Sequence, residues 1–310
     1  MAPDTSRILQ WVLDGKTEEE VKVLANADPG VIAAVNTIDE NDGRDKGTTV
    51  LMRMTCDDFA VGVRVLLSIP GIDVNIRSGW NPNRSKIGYT ALMHAAYLGK
   101  EESLGILLAV PVIDVNVKGL DDGNSAITLA AKRQDAEPIK MLLARSDIDV
   151  NAKNHKGDTA LMIATEEQNL EVVEALLKDP RVNVNASNVL GETALMLLAK
   201  KVRSDLDSNV VLYPQNSFAE QIARLLTQHP DIDIIIRNND GKTALQLAGE
   251  GPIGVVLSDA VDRIRMASRS GHKVEIAEVG TAKPGPVATG EPEVGAPKAK
   301  VPDLRDRTGS

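Results

Sequence analysis

A chain of 310 residues, 43% of them hydrophobic, is long enough for one large domain or two ordinary ones and too apolar for wholesale disorder. Only two Phe, three Tyr and two Trp occur, so Ala, Leu, Val, Ile and Met must fill the core, which suits close helix-on-helix packing and leans away from a sandwich or barrel. The formal charge of -9 opposes a phosphate backbone, and no dense Lys/Arg run offsets it, so basic protein partners fit better than nucleic acid.

The opening Met1-Ala2-Pro3-Asp4 lacks a secretory pattern and no apolar run reaches membrane-spanning length, so the expectation is a soluble cytoplasmic monomer without membrane contact, the nucleus or a host cytosol remaining open. Residues 5 to 38 carry Ile8, Leu9, Trp11, Val12 and Leu13, then Thr17-Glu18-Glu19-Glu20-Val21. They read as an irregular helix pair capping one end, within a segment 1–45, with Trp11 in the core. Cys56 is the only cysteine. It excludes an intramolecular disulfide and a thiolate zinc cluster, and with Asp57 and Asp58 beside it an inert thiol is expected.

From residue 46 to 268 the chain repeats. Gly47-Thr48-Thr49-Val50-Leu51-Met52, Gly88-Tyr89-Thr90-Ala91-Leu92-Met93 and Gly123-Asn124-Ser125-Ala126-Ile127-Thr128 share one pattern. Three further copies begin at Gly157, Gly191 and Gly241. From the hydroxyl residue to a Leu-Leu pair the distance is 17 positions in four copies: Thr49 to Leu66, Thr90 to Leu107, Ser125 to Leu142 and Thr159 to Leu176. A block Ile72-Asp73-Val74-Asn75 then recurs at Ile113 to Asn116, Ile148 to Asn151 and Val182 to Asn185, whereas the last copy, Ile232-Asp233-Ile234-Ile235, loses its Asn.

The hydroxyl can cap a helix N-terminus and the preceding Gly permits the positive φ of a tight turn, so a helix starts at each motif. Ala95-Ala96, Ala130-Ala131 and Ala164 allow close approach, and Leu104, Leu107 and Leu108 recur at helical spacing on a second helix. Each unit is thus a helical hairpin followed by an extended, projecting turn.

In these residues, best in Gly88-Tyr89-Thr90-Ala91-Leu92-Met93-His94-Ala95-Ala96, the sequence resembles the ankyrin-repeat family over roughly residues 45 to 260. The resemblance implies an all-α solenoid of six helical hairpins with projecting β-hairpin fingers, and a protein-binding role. The family's Pro is Ala or Val here and its His is mostly Met.

Specific binding should come from what interrupts the pattern. The first finger, Arg77 to Ile87, is longer than later ones and sets Trp80 among Arg77, Arg84 and Lys86. That composition is favoured at binding hot spots, against the alternative that Trp80 folds back onto its own hairpin and stabilises the insertion. In the fifth unit Thr193 to Leu225 spans 32 positions, placing 15 extra residues around Val202 to Ser217, read as a solvent loop between two helices. The segment 269–310, rich in Pro, Gly and Ala, reads as a disordered tail serving as a linker.

Chemistry finds little footing. His94, His155, His229 and His272 make no ligand pair at helical spacing, no phosphate loop occurs, and Glu166, Glu167, Glu171 and Glu174 read as one solvated helix face. No metal, no cofactor and no enzyme activity are expected. The family resemblance adds one modification: finger Asn residues can be substrates of an asparaginyl hydroxylase, and Asn75, Asn116 and Asn151 match, against the alternative that they satisfy hairpin backbone.

The expectation is an adaptor or scaffold that binds a protein on its concave face of finger tips and first helices. Arg77, Trp80, Arg84, Lys86, Tyr89, His94 and Tyr97 should contact the partner at one end, continuing through Leu120, Asp121, Asp122, His155 and Lys156. The competing reading is a regulatory or targeting subunit of an enzyme whose catalysis resides on another chain.

Overall fold

A computed structural model describes residues 14–27, 29–38, 47–79, 88–207 and 216–269, and residues up to Met266 form one compact unit. The helices follow from their starts. Thr49, Thr90, Thr159 and Thr243 each accept a hydrogen bond from the backbone N–H three residues on, at 3.3 to 3.4 Å. Ser125 and Thr128 cap reciprocally, so each motif relieves donors that a helix N-terminus leaves unpaired.

Fourteen helices result among the described residues. Before the repeats lie α1 (Glu18–Ala27) and α2 (Pro29–Val35). The six motif helices are α3 (Val50–Cys56), α5 (Ala91–Leu98), α7 (Ala126–Ala130), α9 (Ala160–Glu166), α11 (Ala194–Asp207) and α13 (Ala244–Ala248). Their partners are α4 (Ala60–Leu67), α6 (Glu101–Leu108), α8 (Glu137–Leu143), α10 (Leu170–Leu177), α12 (Asn216–Gln228) and α14 (Pro252–Arg269). Motif helices pack on one another in chain order, and the second helices α4 to α12 form a parallel row.

Ala95, Ala96, Ala130, Ala131 and Ala164 are wholly buried between stacked helices, while Leu66, Leu104, Leu107, Leu142 and Leu176 fill the space between the rows. The core is therefore one continuous ribbon of aliphatic side chains. Each unit therefore buries apolar surface against its neighbours and depends on them for stability.

The fingers carry no strand among the described residues. A side-chain ladder runs through their bases instead. Asn116 donates its amide to Asp147 O at 2.8 Å and accepts from Asp149 N–H at 2.8 Å. Asn75 does the same to Val112 and Asp114, Asn151 to Arg181 and Asn183, and Asn185 to Asp231 and Asp233. Each rung thus satisfies one donor and one acceptor of the next unit, and the preceding Asp or Asn fixes it by accepting from its N–H, as Asp114 does from Asn116 at 2.9 Å. The lowest rung is Asn36, bonded to Gly71 O and Asp73 N–H, so α1 and α2 occupy the place of a degenerate unit.

Long basic side chains add further rails. Arg145 and Arg181 reach back to Leu108 O and Leu143 O, each at 2.8 Å, covering carbonyls at the ends of α6 and α8.

The fifth unit corrects one expectation. Most of its extra residues lengthen the helices, to 14 residues in α11 and 13 in α12, and only 208–215 lie between them, outside the described residues. Continuing an existing helix adds one hydrogen bond per residue fixed, which favours extension over a loop. The segment read as a tail also lies outside the described residues beyond Arg269.

Candidate interaction face

One turn builds the later finger tips. Asn154 Oδ1 accepts from the N–H of Lys156 and of Asp158, both at 2.9 Å. Asn188 repeats this with Leu190 and Glu192, and Asn238 with Asp240 and Lys242. The turn needs glycine: Gly157 has φ +80°, and a Cβ there would stand 2.7 Å from Val189 N. Each tip thereby presents two side chains, His155-Lys156, Val189-Leu190 and Asn239-Asp240.

Tips are also tied to one another. His155 N–H donates to Asp122 O, Val189 N–H to Lys156 O and Asn239 N–H to Leu190 O, at 2.9 to 3.0 Å. The side chains stay in water: Leu120 is 58%, Val189 63% and Leu190 54% exposed, and Asp121, His155 and Lys156 are exposed as well.

Between the finger residues around Asp121 and His155 and the C-terminal ends of α7 and α9, with the middle of α11, runs a groove of about 600 Å³. Its finger wall carries Asp121, Asp122, His155 and Lys156, and its helix wall Lys132, Glu166, Glu167 and Lys201. Glu166 ends α9 and Glu167 caps it, at the negative end of that helix, where anions are disfavoured. Nearby, Lys200 pairs with Glu192 at 2.7 Å and Lys201 with Asp205 at 3.2 Å. A second crease of about 640 Å³, lined by Leu143, Ala144, Ala175 and Pro180, separates α8 from α10 on the opposite row.

The structure brings together Leu120, Asp121, His155 and Lys156, which sequence reasoning selected. It removes two others from the surface. Tyr89 and His94 are 1% and 3% exposed, so neither can meet a partner. Tyr89 sits between the turn glycine and the N-cap, a position that points between fingers, and its hydroxyl donates to Asp122 while its ring meets His94 edge-on at 5.7 Å. Burial, then the Asp122 carboxylate, pushes the Tyr89 phenol up. Burial opposes ionisation of Asp122, yet hydrogen bonds from Tyr89 and Asn124 hold its carboxyl below the usual range.

Tyr97 is half-buried and its carbonyl accepts from Arg133. Arg77 is exposed, while Trp80, Arg84 and Lys86 lie outside the described residues. Glu166 and Glu167 do not share a helix face with Glu171 and Glu174, which belong to α10. The loss of helix at Gln168, where φ is +55°, separates the two pairs. Lys132, Lys201, Val189 and Leu190 escaped sequence reasoning. The last two were findable, because they stand where His155-Lys156 stand in the preceding finger. Asn75, Asn116 and Asn151 have both amide atoms committed to the ladder.

Among the described residues no helix is long and apolar enough to cross a membrane. Residues 107–188 and 127–213 match the sequence model of ankyrin repeats (3 copies). Searched against curated proteins, the sequence has no match. Among solved structures, an ankyrin repeat domain from Acinetobacter baumannii AYE is similar at 26% identity and TM-score 0.56, covering 68% of this chain and 97% of that one. The ankyrin repeat domain of Bcl-3, described as a unique member of the IkappaB protein family, is similar at 21% identity and TM-score 0.57, covering 79% and 99%.

Proposed function

The chain is an ankyrin-repeat protein, and from that premise we propose that it is a non-catalytic adaptor that holds a protein partner against its finger tips and first helices. Ankyrin repeats are in general protein–protein interaction modules. The observation that supports this face is the exposure of Leu120, Val189 and Leu190 on finger tips adjoining Asp121 and Lys156, which line a charged groove. Large apolar side chains left more than half exposed bury little area within the fold. Apolar anchors rimmed by charge are the usual anatomy of a recognition surface.

The partner would bury the tips and lie over Lys132, Glu166 and Lys156. Photo-crosslinkers placed at Leu120, Leu190 and, as a control on the second-helix row, Val61 test this in cells. Cross-links to one protein from both tip positions and none from Val61 are expected. Cross-links from Val61 alone would transfer the binding face to the opposite side.

A further inference from the structure

We propose that the groove reads an extended protein segment by a fixed order of charge, acidic, basic, spacer, repeated unit by unit. This rests on the interaction-module reading and names the partner's chemistry.

Among the exposed charges the two walls alternate in sign, out of phase; Asp122 and Asp158, also in the lining, are less exposed and accept hydrogen bonds from Asn124 and Asn188. At the third unit Asp121 faces the groove from the finger and Lys132 from the helix; at the fourth, Lys156 and then Glu166 with Glu167 exchange those signs. At the fifth, Lys201 returns to positive, and the finger tip beside the groove, tied to Lys156 through Val189 N–H, offers Val189 and Leu190. Lys201 remains available, because an exposed pair such as its bond to Asp205 contributes under about 1 kcal/mol.

Strand addition is not the mode, since the tip N–H groups of His155, Val189 and Asn239 already donate to neighbouring fingers. A helix would match this pattern poorly, because its faces recur every 3.6 residues and do not alternate between two walls.

An extended segment has the periodicity that resolves the checkerboard. At about 3.3 Å per residue, one unit corresponds to about three residues, and side chains alternate between walls with period two. A residue facing the helix wall at the third unit should be acidic for Lys132, and the next, facing the finger, basic for Asp121. Three positions on, an odd step, the segment faces Lys156 and should again be acidic. Its successor then faces Glu166 and should be basic. Another step of three meets Lys201 with an acidic residue, followed by an apolar one for Leu190. Opposite phases on the walls and the odd step cancel, leaving one triplet rule. A register slip by one residue sets like charges together, the usual means of rejecting wrong partners.

The test uses the full chain and two fluorescein-labelled peptides of identical composition. One is Glu-Lys-Gly-Glu-Lys-Gly-Glu-Leu; the other, Glu-Lys-Glu-Lys-Glu-Gly-Gly-Leu, places its three Glu on one wall. Fluorescence anisotropy at low salt should show the triplet peptide binding at least tenfold tighter. The preference should vanish in high salt, and in the doubly substituted Glu166→Lys, Glu167→Lys chain. Equal binding of the two peptides, or binding of neither at millimolar concentration, overturns the charge order. In that event, cross-links from Leu120 and Leu190 to one cellular protein would leave the interaction module standing, and their absence would remove both.

Discussion

The hydroxyl of Tyr89, on the first finger, donates to the carboxylate of Asp122 on the second, so a side chain placed by one repeat's turn fixes the tip of the next. Tyr89→Phe should therefore lower stability at neutral pH by about 1–2 kcal/mol, the cost of losing a hydrogen bond to a charged acceptor. The sign with pH follows from Asp122, whose folded carboxyl lies below its unfolded value. That contribution is present above the unfolded value, near pH 4, and is lost as pH falls through the folded one. Urea denaturation of both proteins should show a gap at pH 7 that narrows at pH 3. An equal gap at both would assign the loss to packing.

Removing a rung should cost more than removing a cap. Asn116→Ala deletes two bonds, at 2.8 Å each, to the following unit, and should destabilise by about 2 kcal/mol. Because each unit depends on its neighbours, the break should also separate unfolding of the two flanks. Hydrogen exchange would then give different opening free energies for α5 and α9, which should coincide in the parent chain.

Two glycines separate backbone strain from contact. Gly241 has φ +74° with nothing within 4 Å of an added Cβ, whereas Gly157, at φ +80°, would press on Val189 N. Gly241→Ala should cost about 1–2 kcal/mol, the left-handed penalty alone. Gly157→Ala should cost more and release the bond between Val189 N–H and Lys156 O, visible as faster amide exchange at Val189.

The groove carboxylates should be unfavourable for the fold itself. Glu166 and Glu167 stand at the negative end of α9, so Glu166→Lys with Glu167→Lys should raise stability by about 0.5–1 kcal/mol. Thermal melts at low and high salt check this, since the gain should shrink as salt screens it. A loss of stability would mean that the pair supports α9.

Much of this architecture was legible because the repeat is written in residue types with local duties. Thr90 caps α5 and Gly157 turns a finger whatever surrounds them. Asn116 was visible as a recurrent residue, but its partners Asp147 and Asp149 belong to the next unit, and bonds of that range leave no local trace. Tyr89 and His94 misled for the same reason: polar aromatic character suggested a surface, while burial was decided by the neighbouring finger. The groove's charge order depends on which residues of successive units stand opposite each other, a relation that appears only once helices and fingers are stacked.

The ladder also has an end. Asn185 supplies the last rung, to Asp231 and Asp233, and the corresponding place in the final finger is Ile235, 45% exposed. A surface that welcomes one more copy of itself is a growth face, and a protein made of such surfaces risks threading into filaments. Ile235 offers an incoming unit neither an amide donor nor an acceptor, so the missing asparagine halts the series as a terminator halts a polymer.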